Sequence, residues 1–117
     1  MNTKINLTYK GVDYTLEYNR MSVKLLENNG FTLEEFSKKP MSNIEMAFAG
    51  AFIKNHKKTP QSTIDEIYKL CKDKDSLIET ITKMITECYE SLMEEPEDDE
   101  GNISWEVVGL EPKKNKE

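Results

Sequence analysis

The stretch INLTYKGVDYTLEY, residues 5–18, decides how the chain begins to fold. Apolar or aromatic residues alternate with polar residues on both sides of Lys10-Gly11, which is the two-residue period of a strand with one buried face. Lys10-Gly11 supplies the turn, because glycine adopts the backbone conformations that tight turns need. The stretch therefore predicts a β-hairpin. A two-stranded hairpin is marginally stable alone, so we expect the residues that follow to cover its apolar face.

Helical patterns follow the hairpin up to residue 95. Ser, Thr, Asp and Pro residues at the start of apolar-periodic runs are typical signals for the start of a helix. These signals predict four to five helices. The first covers residues 23–28 and is capped by Ser22, and a brief second helix is opened by Thr32 and closed by Pro40. The third covers residues 43–57 and is capped by Ser42, the fourth has Pro60 as its first residue, and the last is capped by Asp75 or Ser76 and ended by Pro96.

The predicted helix over residues 43–57 is the most apolar of these. Its main stripe recurs at helical spacing and comprises Ile44, Ala47, Phe48, Ala51 and Phe52. A second set widens this stripe: Met46, Ala49, Gly50 and Ile53. A helix that is apolar over so much of its surface and rich in small residues is expected to lie centrally, closely approached by its neighbours.

The chain of 117 residues is long enough for one domain of ordinary size. The order of its elements predicts an α+β fold, with an N-terminal β-hairpin followed by a bundle of four to five α-helices and a flexible acidic C-terminal tail. We place the hairpin-plus-helical domain over residues 1–95. Residues 96–117 are expected to be a largely disordered tail that carries one short tryptophan-containing segment.

The net charge of −6 belongs to the C-terminal region. From Leu92 onward there are nine acidic residues and three lysines, so residues 1–91 are neutral overall. A neutral body without a basic stripe argues against nucleic-acid binding, which depends on Lys and Arg neutralising phosphates. The N-terminal residues contain no long apolar run, so we expect no signal peptide, no membrane span and a cytoplasmic location.

Catalytic chemistry finds little support in the sequence. The single histidine, His56, follows the apolar run among lysines and is interpreted as a surface cation near a helix C-terminus. Cys71 and Cys88 fall in helical patterns and are interpreted as small buried apolar groups. One histidine and two separated cysteines cannot assemble a metal site of the usual His/Cys type. We therefore predict a non-enzymatic protein without catalytic residues, metal or cofactor.

Binding to a partner is the remaining class of function, and the stronger candidate for a binding segment lies in the tail. The segment Ile103–Val108 has strand-like composition, with Ile103, Trp105 and Val107 at alternate positions. Short segments of this kind add to sheet edges or dock into pockets, with tryptophan as the dominant contact. This segment either binds a partner in that way, or folds back as a strand on the protein's own hairpin, or is disordered.

The central helix holds the second candidate. Phe48 and Phe52 belong to a set of phenylalanines and methionines spread over the body of the chain. Such a set either lines an adaptable hydrophobic groove or fills a small core. Phe48 and Phe52, together with the three alternating tail residues, are the candidate partner-binding residues.

The order of these features resembles a known family. The pattern Ile5-x-Leu7-x-x-x-Gly11-x-x-Tyr14-x-Leu16-x-Tyr18-Asn19, followed by Leu25-Leu26-Glu27, is similar to the tail assembly chaperones of long-tailed, siphovirus-type bacteriophages that infect Gram-positive hosts. The mostly helical middle, the acidic stretch after the last helix and the terminal tryptophan segment add to the resemblance. It covers most of the chain in order.

The resemblance implies a non-enzymatic protein of the host cytoplasm that is absent from the mature virion. Such chaperones bind the long, aggregation-prone tape-measure protein and help to deliver tail-tube subunits onto it during tail assembly. The implied partners are therefore the tape-measure protein and the tail-tube protein, with the chaperone itself a homo-oligomer and no role for nucleic acid or membrane. The family has no catalytic residues to carry over, and no short motif fixes its binding residues.

A different class of function stays open at the level of sequence. An acidic regulatory or inhibitory protein would occupy a nucleic-acid-binding partner by mimicking the charge of DNA. Such a mimic needs a patterned negative face on its folded body, whereas the excess acids of this chain lie in its tail. An enzyme, a third class, would have to build its active site from carboxylates and tyrosines alone.

Overall fold

The computed structural model describes residues 3–94 and 103–109 and has the predicted α+β class, with an N-terminal antiparallel hairpin followed by five helices. The elements are β1 (Ile5–Tyr9), β2 (Val12–Leu16), α1 (Arg20–Asn28), α2 (Leu33–Lys38), α3 (Pro40–Gly50), α4 (Gln61–Leu70) and α5 (Lys74–Leu92). The predicted domain boundary at residues 95–96 and most of the acidic stretch lie outside the described residues, whereas α5 already ends at Leu92, before the predicted stop at Pro96.

The hairpin forms where the alternation predicts it. β1 and β2 pair antiparallel, with Tyr9 opposite Val12 next to the turn. Lys10 and Gly11 form that turn with φ of 51° and 79°. Two consecutive positive φ values give the turn whose twist matches paired strands, and glycine adopts such a value without steric cost. The predicted hairpin and its turn are confirmed.

β2 joins the hairpin to the helices. Its Tyr14 and Leu16 are buried, whereas the inward residues of β1 are only half-buried. Just beyond β2, the Glu17 N–H donates a hydrogen bond to the Ala51 carbonyl at 3.1 Å. The hairpin is therefore fixed to the helices along β2, and β1 is its outer strand.

The first two helices differ in how well their starts are predicted. Thr32 caps α2 as predicted, because its hydroxyl accepts a hydrogen bond from the Glu35 N–H at 3.0 Å. α1 begins at Arg20, three residues before the predicted start, and its cap is Asn19. Ser22, the predicted cap, is the third helical residue, and it exchanges hydrogen bonds with Asn19 in a capping box.

The other three helices also begin differently from the prediction. Pro40 is the first residue of α3 rather than the end of α2, because an N–H in the first helical turn has no helical partner and proline loses nothing there. The predicted Ser42 cap is therefore wrong. Pro60 lies at the N-cap of α4, immediately before the helix. Asp73 caps α5 by accepting a hydrogen bond from the Ser76 N–H, earlier than either predicted cap.

α3 ends at Gly50, seven residues before the predicted end. The Ala51 and Phe52 N–H groups donate to carbonyls three residues back, which tightens the backbone out of the α-helix. The Ala51 carbonyl accepts its hydrogen bond from Glu17 of the hairpin instead of from the next helical turn. A tertiary contact with the hairpin therefore replaces the helical bond and ends α3.

The core surrounds α3, as predicted. This helix contacts α1, α2, α4 and α5. The five residues of its main stripe, including Ala51 and Phe52 just beyond the helix, are all buried. A Cβ atom added to Gly50 would lie 2.9 Å from the Leu26 side chain, so the absence of a side chain lets α1 approach α3 closely. The predicted central position and close approach are confirmed.

Candidate functional site

An open groove lies between α1, α3 and the start of α4, and we name it the α3 groove. It encloses about 510 Å³. Its floor comprises Leu26, Gly50, Phe52 and Ile64, all of them buried. A volume in this range is typical of concave sites that bind ligands or partner side chains.

The second apolar stripe of the central helix forms one wall of the α3 groove. Met46, Ala49, Gly50 and Ile53 lie three or four residues apart along one face, and all four line the groove. The main stripe faces the core instead. α3 and the turn after it therefore present one apolar face to the core and a neighbouring apolar face to the groove, which explains the unusual width of the pattern in the sequence.

α1 forms the opposite wall. Leu25 and Leu26 line the groove from this side, with Asn29 at the end of the helix. The Asn29 side-chain amide donates a hydrogen bond to the Leu25 carbonyl at 2.8 Å. Gly30 follows with φ of 92°, a left-handed conformation that commonly ends helices. These contacts fix the end of α1 beside the groove.

Polar side chains form the rim of the α3 groove. Glu45, Lys57, Gln61 and Asp65 lie around it, and the Gln61 amide donates to Asp65 at 2.9 Å. Met46 is the apolar residue of the groove that reaches the surface, with 36% of its area accessible. An apolar floor, a polar rim and a flexible methionine at the edge suit an amphipathic helix whose apolar side chains enter the groove.

His56 lines the α3 groove and also holds the hairpin. The Thr15 N–H donates a hydrogen bond to His56 Nε2 at 2.9 Å. The Tyr14 ring packs edge-on against the imidazole, with centroids 4.9 Å apart. The interpretation of His56 as a surface side chain near a helix C-terminus is therefore wrong, because His56 is half-buried and α3 ends at Gly50. The sequence shows its lysine neighbours but not the strand that returns to it.

The structure separates the two phenylalanines that were predicted to bind a partner. Phe48 is fully buried and packs against the rings of Phe52 and Tyr68. It is a core residue, so a direct partner contact at Phe48 does not fit the structure. Phe52 is 1% exposed and closes the floor of the α3 groove from beneath. Its part in binding is therefore to shape the groove.

Phenylalanines and methionines divide between the core and the surface. All four phenylalanines are buried, and so is Met84. Exposed methionines include Met21, Met41, Met46 and Met93, and of these Met46 alone lines the α3 groove. The core-filling interpretation is therefore confirmed for the phenylalanines. The exposed methionines are dispersed and do not form one methionine-rich groove.

The candidate residues of the tail segment are exposed. Ile103, Trp105 and Val107 have 84%, 81% and 60% of their area accessible, and residues 103–109 belong to no helix or strand. The sheet in the described part of the chain has two strands, β1 and β2. Pairing of this segment with the hairpin of its own chain is therefore not the arrangement in the structure. None of its residues lines the α3 groove.

The thiols and the best-ordered ion pair have structural roles. Cys71 and Cys88 are half-buried and unpaired with each other, and burial raises the pKa of both thiols. Protonated thiols are poor nucleophiles, so neither cysteine is primed for chemistry. The Lys54 ammonium lies 2.9 Å from Glu17 and lowers the pKa of that carboxyl. This pair fastens the end of the hairpin to the turn after α3.

Neither a metal cluster nor a membrane-spanning helix occurs within residues 3–94 and 103–109. No three of the His, Cys, Asp and Glu side chains in these ranges lie close enough together to hold a metal ion. None of the helices in these ranges combines the length and the apolar character needed to cross a lipid bilayer.

Comparison with known families identifies one family whose model matches the chain. Residues 1–108 match the model of a family described as a domain of unknown function, DUF5055. The chain belongs to the DUF5055 family. No curated protein and no solved structure matches it. The matched region runs from the hairpin through α5 and includes Ile103–Val108, so the tryptophan segment lies within the DUF5055 domain.

Sequence reasoning missed the groove of this DUF5055 domain, although one signal for it was present. Met46 and Ile53 appear in the sequence as a widening of the core stripe, and the structure shows that they belong to a separate, accessible face. Leu25 is partly exposed in the groove wall. No sequence signal marks Gln61 and Asp65, because the rim arises only when α4 folds against α3.

Proposed function

We propose that this protein is a tail assembly chaperone of a long-tailed phage and that it binds the tape-measure protein through the α3 groove. It acts in the host cytoplasm, outside the mature virion, and helps to bring tail-tube subunits onto the tape-measure protein. The observation that carries the proposal is the apolar lining that Met46, Ala49 and Ile53 give the α3 groove, where Met46 is exposed and Ala49 and Ile53 are half-buried. The sequence resemblance to tail assembly chaperones supplies the identity of the partner.

The α3 groove fits the chemistry of that partner. A tape-measure protein is a long helical chain that exposes apolar stripes before the tail is built. An amphipathic helix binds a groove by inserting side chains spaced three or four residues apart. Leu25 of α1 and Met46 of α3 both line the groove, so a side chain that enters can contact both helices. The apolar floor below it excludes water from the contact.

The distribution of charge supports a chaperone that keeps its partner dispersed. Residues 1–91 are neutral overall, and six acidic residues lie between Glu94 and Glu100. Many copies bound along one tape-measure protein would carry these acids on the outside of the complex. Like charges on neighbouring complexes repel and oppose aggregation. The neutral body would therefore bind, and the acidic stretch would keep the complex soluble.

Co-expression with the tape-measure protein encoded in the same genome tests the proposal. We expect the tape-measure protein to be largely insoluble alone, and to become soluble and co-purify when the full-length chain is present. The measurement is the soluble and co-purified yield of the tape-measure protein. Failure of the correctly paired proteins to co-purify contradicts the proposal.

Two methionines of α3 provide a matched test of the groove itself. Met46 lines the α3 groove, whereas Met41 is 72% exposed on the first turn of α3 and does not line it. Met46→Glu is expected to weaken co-purification by about tenfold or more, because the contact would bury a carboxylate. Met41→Glu should leave it unchanged. Equal effects of the two variants, both folded by circular dichroism, would show that the α3 groove is not the binding surface.

A further inference from the structure

Each strand of the hairpin has backbone N–H and C=O groups that point away from its partner strand. In an antiparallel pair, alternate residues point their N–H and C=O groups away from the partner strand. Tyr9 and Val12 flank the two-residue turn and are therefore a hydrogen-bonded pair. By alternation, Asp13 and Thr15 point their backbone groups outward from β2, and Asn6 and Thr8 point theirs outward from β1.

The outer edge of β2 is occupied at Thr15, whereas on β1 both outward-pointing residues are open. The Thr15 N–H donates to His56 Nε2 at 2.9 Å, and the Thr15 carbonyl accepts from the Asn55 side-chain amide at 3.0 Å. On β1, none of the residues that the structure describes bonds to the outward backbone groups of Asn6 and Thr8. β1 is thus an open edge strand, the kind of surface to which another extended chain adds.

A shallow groove runs alongside this open edge, and we name it the edge groove. It encloses about 300 Å³, and its apolar lining comes from Ile5 and Leu7 of β1 and from Cys71 and Leu77 at the α4–α5 connection. No residue of β2 lines it, so within the hairpin it borders β1 alone. The inward side chains of β1 are only half-buried because they border this groove.

We propose that the segment Ile103–Val108 of a second copy adds to β1 as a third strand and fills the edge groove. Its six residues match the five residues of β1 in length. Isoleucine, valine and tryptophan favour extended structure. In the single chain the segment is exposed and belongs to no helix or strand, so it is available to another molecule.

The alternation of the segment fits the edge groove in one register. Successive residues of a strand point to opposite faces. When Ile103, Trp105 and Val107 point inward, three apolar side chains meet the groove, and Glu106 points to solvent. The opposite register would place the Glu106 carboxylate against apolar side chains, which is costly. The pattern therefore selects the register that buries the tryptophan.

Charge around the edge groove is complementary to the segment. Lys4 precedes β1, and Lys72 lines the groove. The segment carries Glu106 and follows the acidic stretch of residues 94–100. Asp73 also lines the groove, but its side chain is engaged as the cap of α5. Opposite charges attract the segment and favour its approach to the edge.

Symmetric exchange of the Ile103–Val108 segments between two copies favours a second copy as the occupant of the edge groove. Each copy carries one open edge and one exposed segment, so two copies exchange segments symmetrically and fill both grooves. The exchanged pair is a closed dimer, in which β1 of each copy is paired on both sides. This inference goes beyond the proposed function and is independent of it, because it concerns the protein alone.

The single tryptophan reports on the exchange. We expect the full-length chain to dimerise in a sedimentation series over concentration, and the Trp105 emission to shift to shorter wavelength as the dimer forms. Trp105 is the only tryptophan, so the signal has one source. A monomer with solvent-exposed emission at every concentration overturns the proposal. A monomer whose emission is already shifted to shorter wavelength also overturns it, since the segment would then pair within its own chain.

Two adjacent valines provide a matched pair in the segment. Val107→Ala removes an inward side chain and Val108→Ala removes an outward one, and both residues are exposed in the single chain. We expect Val107→Ala to weaken dimer formation by roughly tenfold, and Val108→Ala by less than about twofold. Equal effects of the two substitutions would contradict strand addition in this register.

Thr8 provides the matched pair on the edge strand. Thr8→Pro removes an outward N–H that the third strand would use, and proline is tolerated on edge strands. Thr8→Ala removes the same hydroxyl and its hydrogen bond to Asp13 but keeps the N–H. Dimerisation should be lost with Thr8→Pro and retained with Thr8→Ala. A Thr8→Pro variant that is folded by circular dichroism and still dimerises overturns the proposal, and if it unfolds, the comparison of the two valines decides.

Discussion

Gly50→Ala tests the close approach of α1 and α3 that shapes the α3 groove. An ideal Cβ at this position would lie 2.9 Å from Cγ and from both Cδ atoms of Leu26. Carbon atoms in folded proteins pack at about 3.5–4.0 Å, so either Leu26 or the whole of α1 would have to move. Leu26 is 4% exposed.

Two opposing effects set the size of the change. Alanine is favoured over glycine in a helix by about 1 kcal/mol at interior positions, and by less at Gly50, the last residue of α3. Overpacking of a well-packed core costs about 1–3 kcal/mol. Because all three contacts fall on one nearly buried side chain, we expect the packing cost to exceed the helix gain. The free energy of unfolding should fall by about 1–2 kcal/mol, which corresponds to a decrease in Tm of roughly 5–10 °C.

Urea denaturation followed by circular dichroism measures this change, and a double-mutant cycle locates its cause. Leu26→Ala alone is expected to cost about 2–5 kcal/mol, because it leaves a cavity. In the Gly50→Ala background the same truncation should cost less, since it also removes the overlap. A Gly50→Ala variant that is more stable than the wild type, with effects that add to those of Leu26→Ala, would refute the close approach of the two helices.

Two further predictions concern the attachment of the hairpin. His56→Ala should lower the free energy of unfolding by about 1–2 kcal/mol in urea denaturation, because the Thr15 N–H loses its acceptor, and a loss below about 0.5 kcal/mol would contradict this role. The lowered pKa of Glu17 means that its pair with Lys54 contributes stability that is complete above pH 4.5, its ordinary pKa, and is lost as the pH falls through the lower folded value. Between neutral and acid pH, the free energy of unfolding should therefore fall less for Glu17→Gln than for the wild type. An equal fall in the two proteins would contradict a stabilising role for the pair.

The hairpin and the core of this protein are predictable from sequence because their signals are local. Two-residue alternation fixes which side chains of β2 face inward, and Gly11 fixes the turn. The main stripe of α3 is predictable for the same reason, since helical spacing alone brings Ile44 and Phe48 to one face. These elements need no information from distant parts of the chain.

Helix limits are less predictable, because neighbouring residues compete to cap or to continue a helix. Asn19 and Ser22 are both good caps, and the structure uses Asn19 as the cap and Ser22 as its partner within the first turn. Pro40 disfavours helix at the residue before it but is compatible with a first helical position, so it is consistent with a helix end or a helix start. The end of α3 depends on a distant hydrogen bond to Glu17, which no local pattern shows.

The candidate site depends on whether other elements cover an apolar face, which sequence periodicity does not show. A pattern shows that a face is apolar, and whether the face becomes core or surface depends on how many neighbours reach it. On α3, the main stripe is covered from several sides, whereas the face of Met46 and Ile53 is bordered by α1 and α4 and left open between them. The same reasoning applies to β1, whose inward side chains are apolar but only half-buried beside the edge groove. In both places the fold leaves apolar surface uncovered, and our two proposals rest on that surface: a helix for the α3 groove, and an extended segment with alternating apolar side chains for the edge of β1.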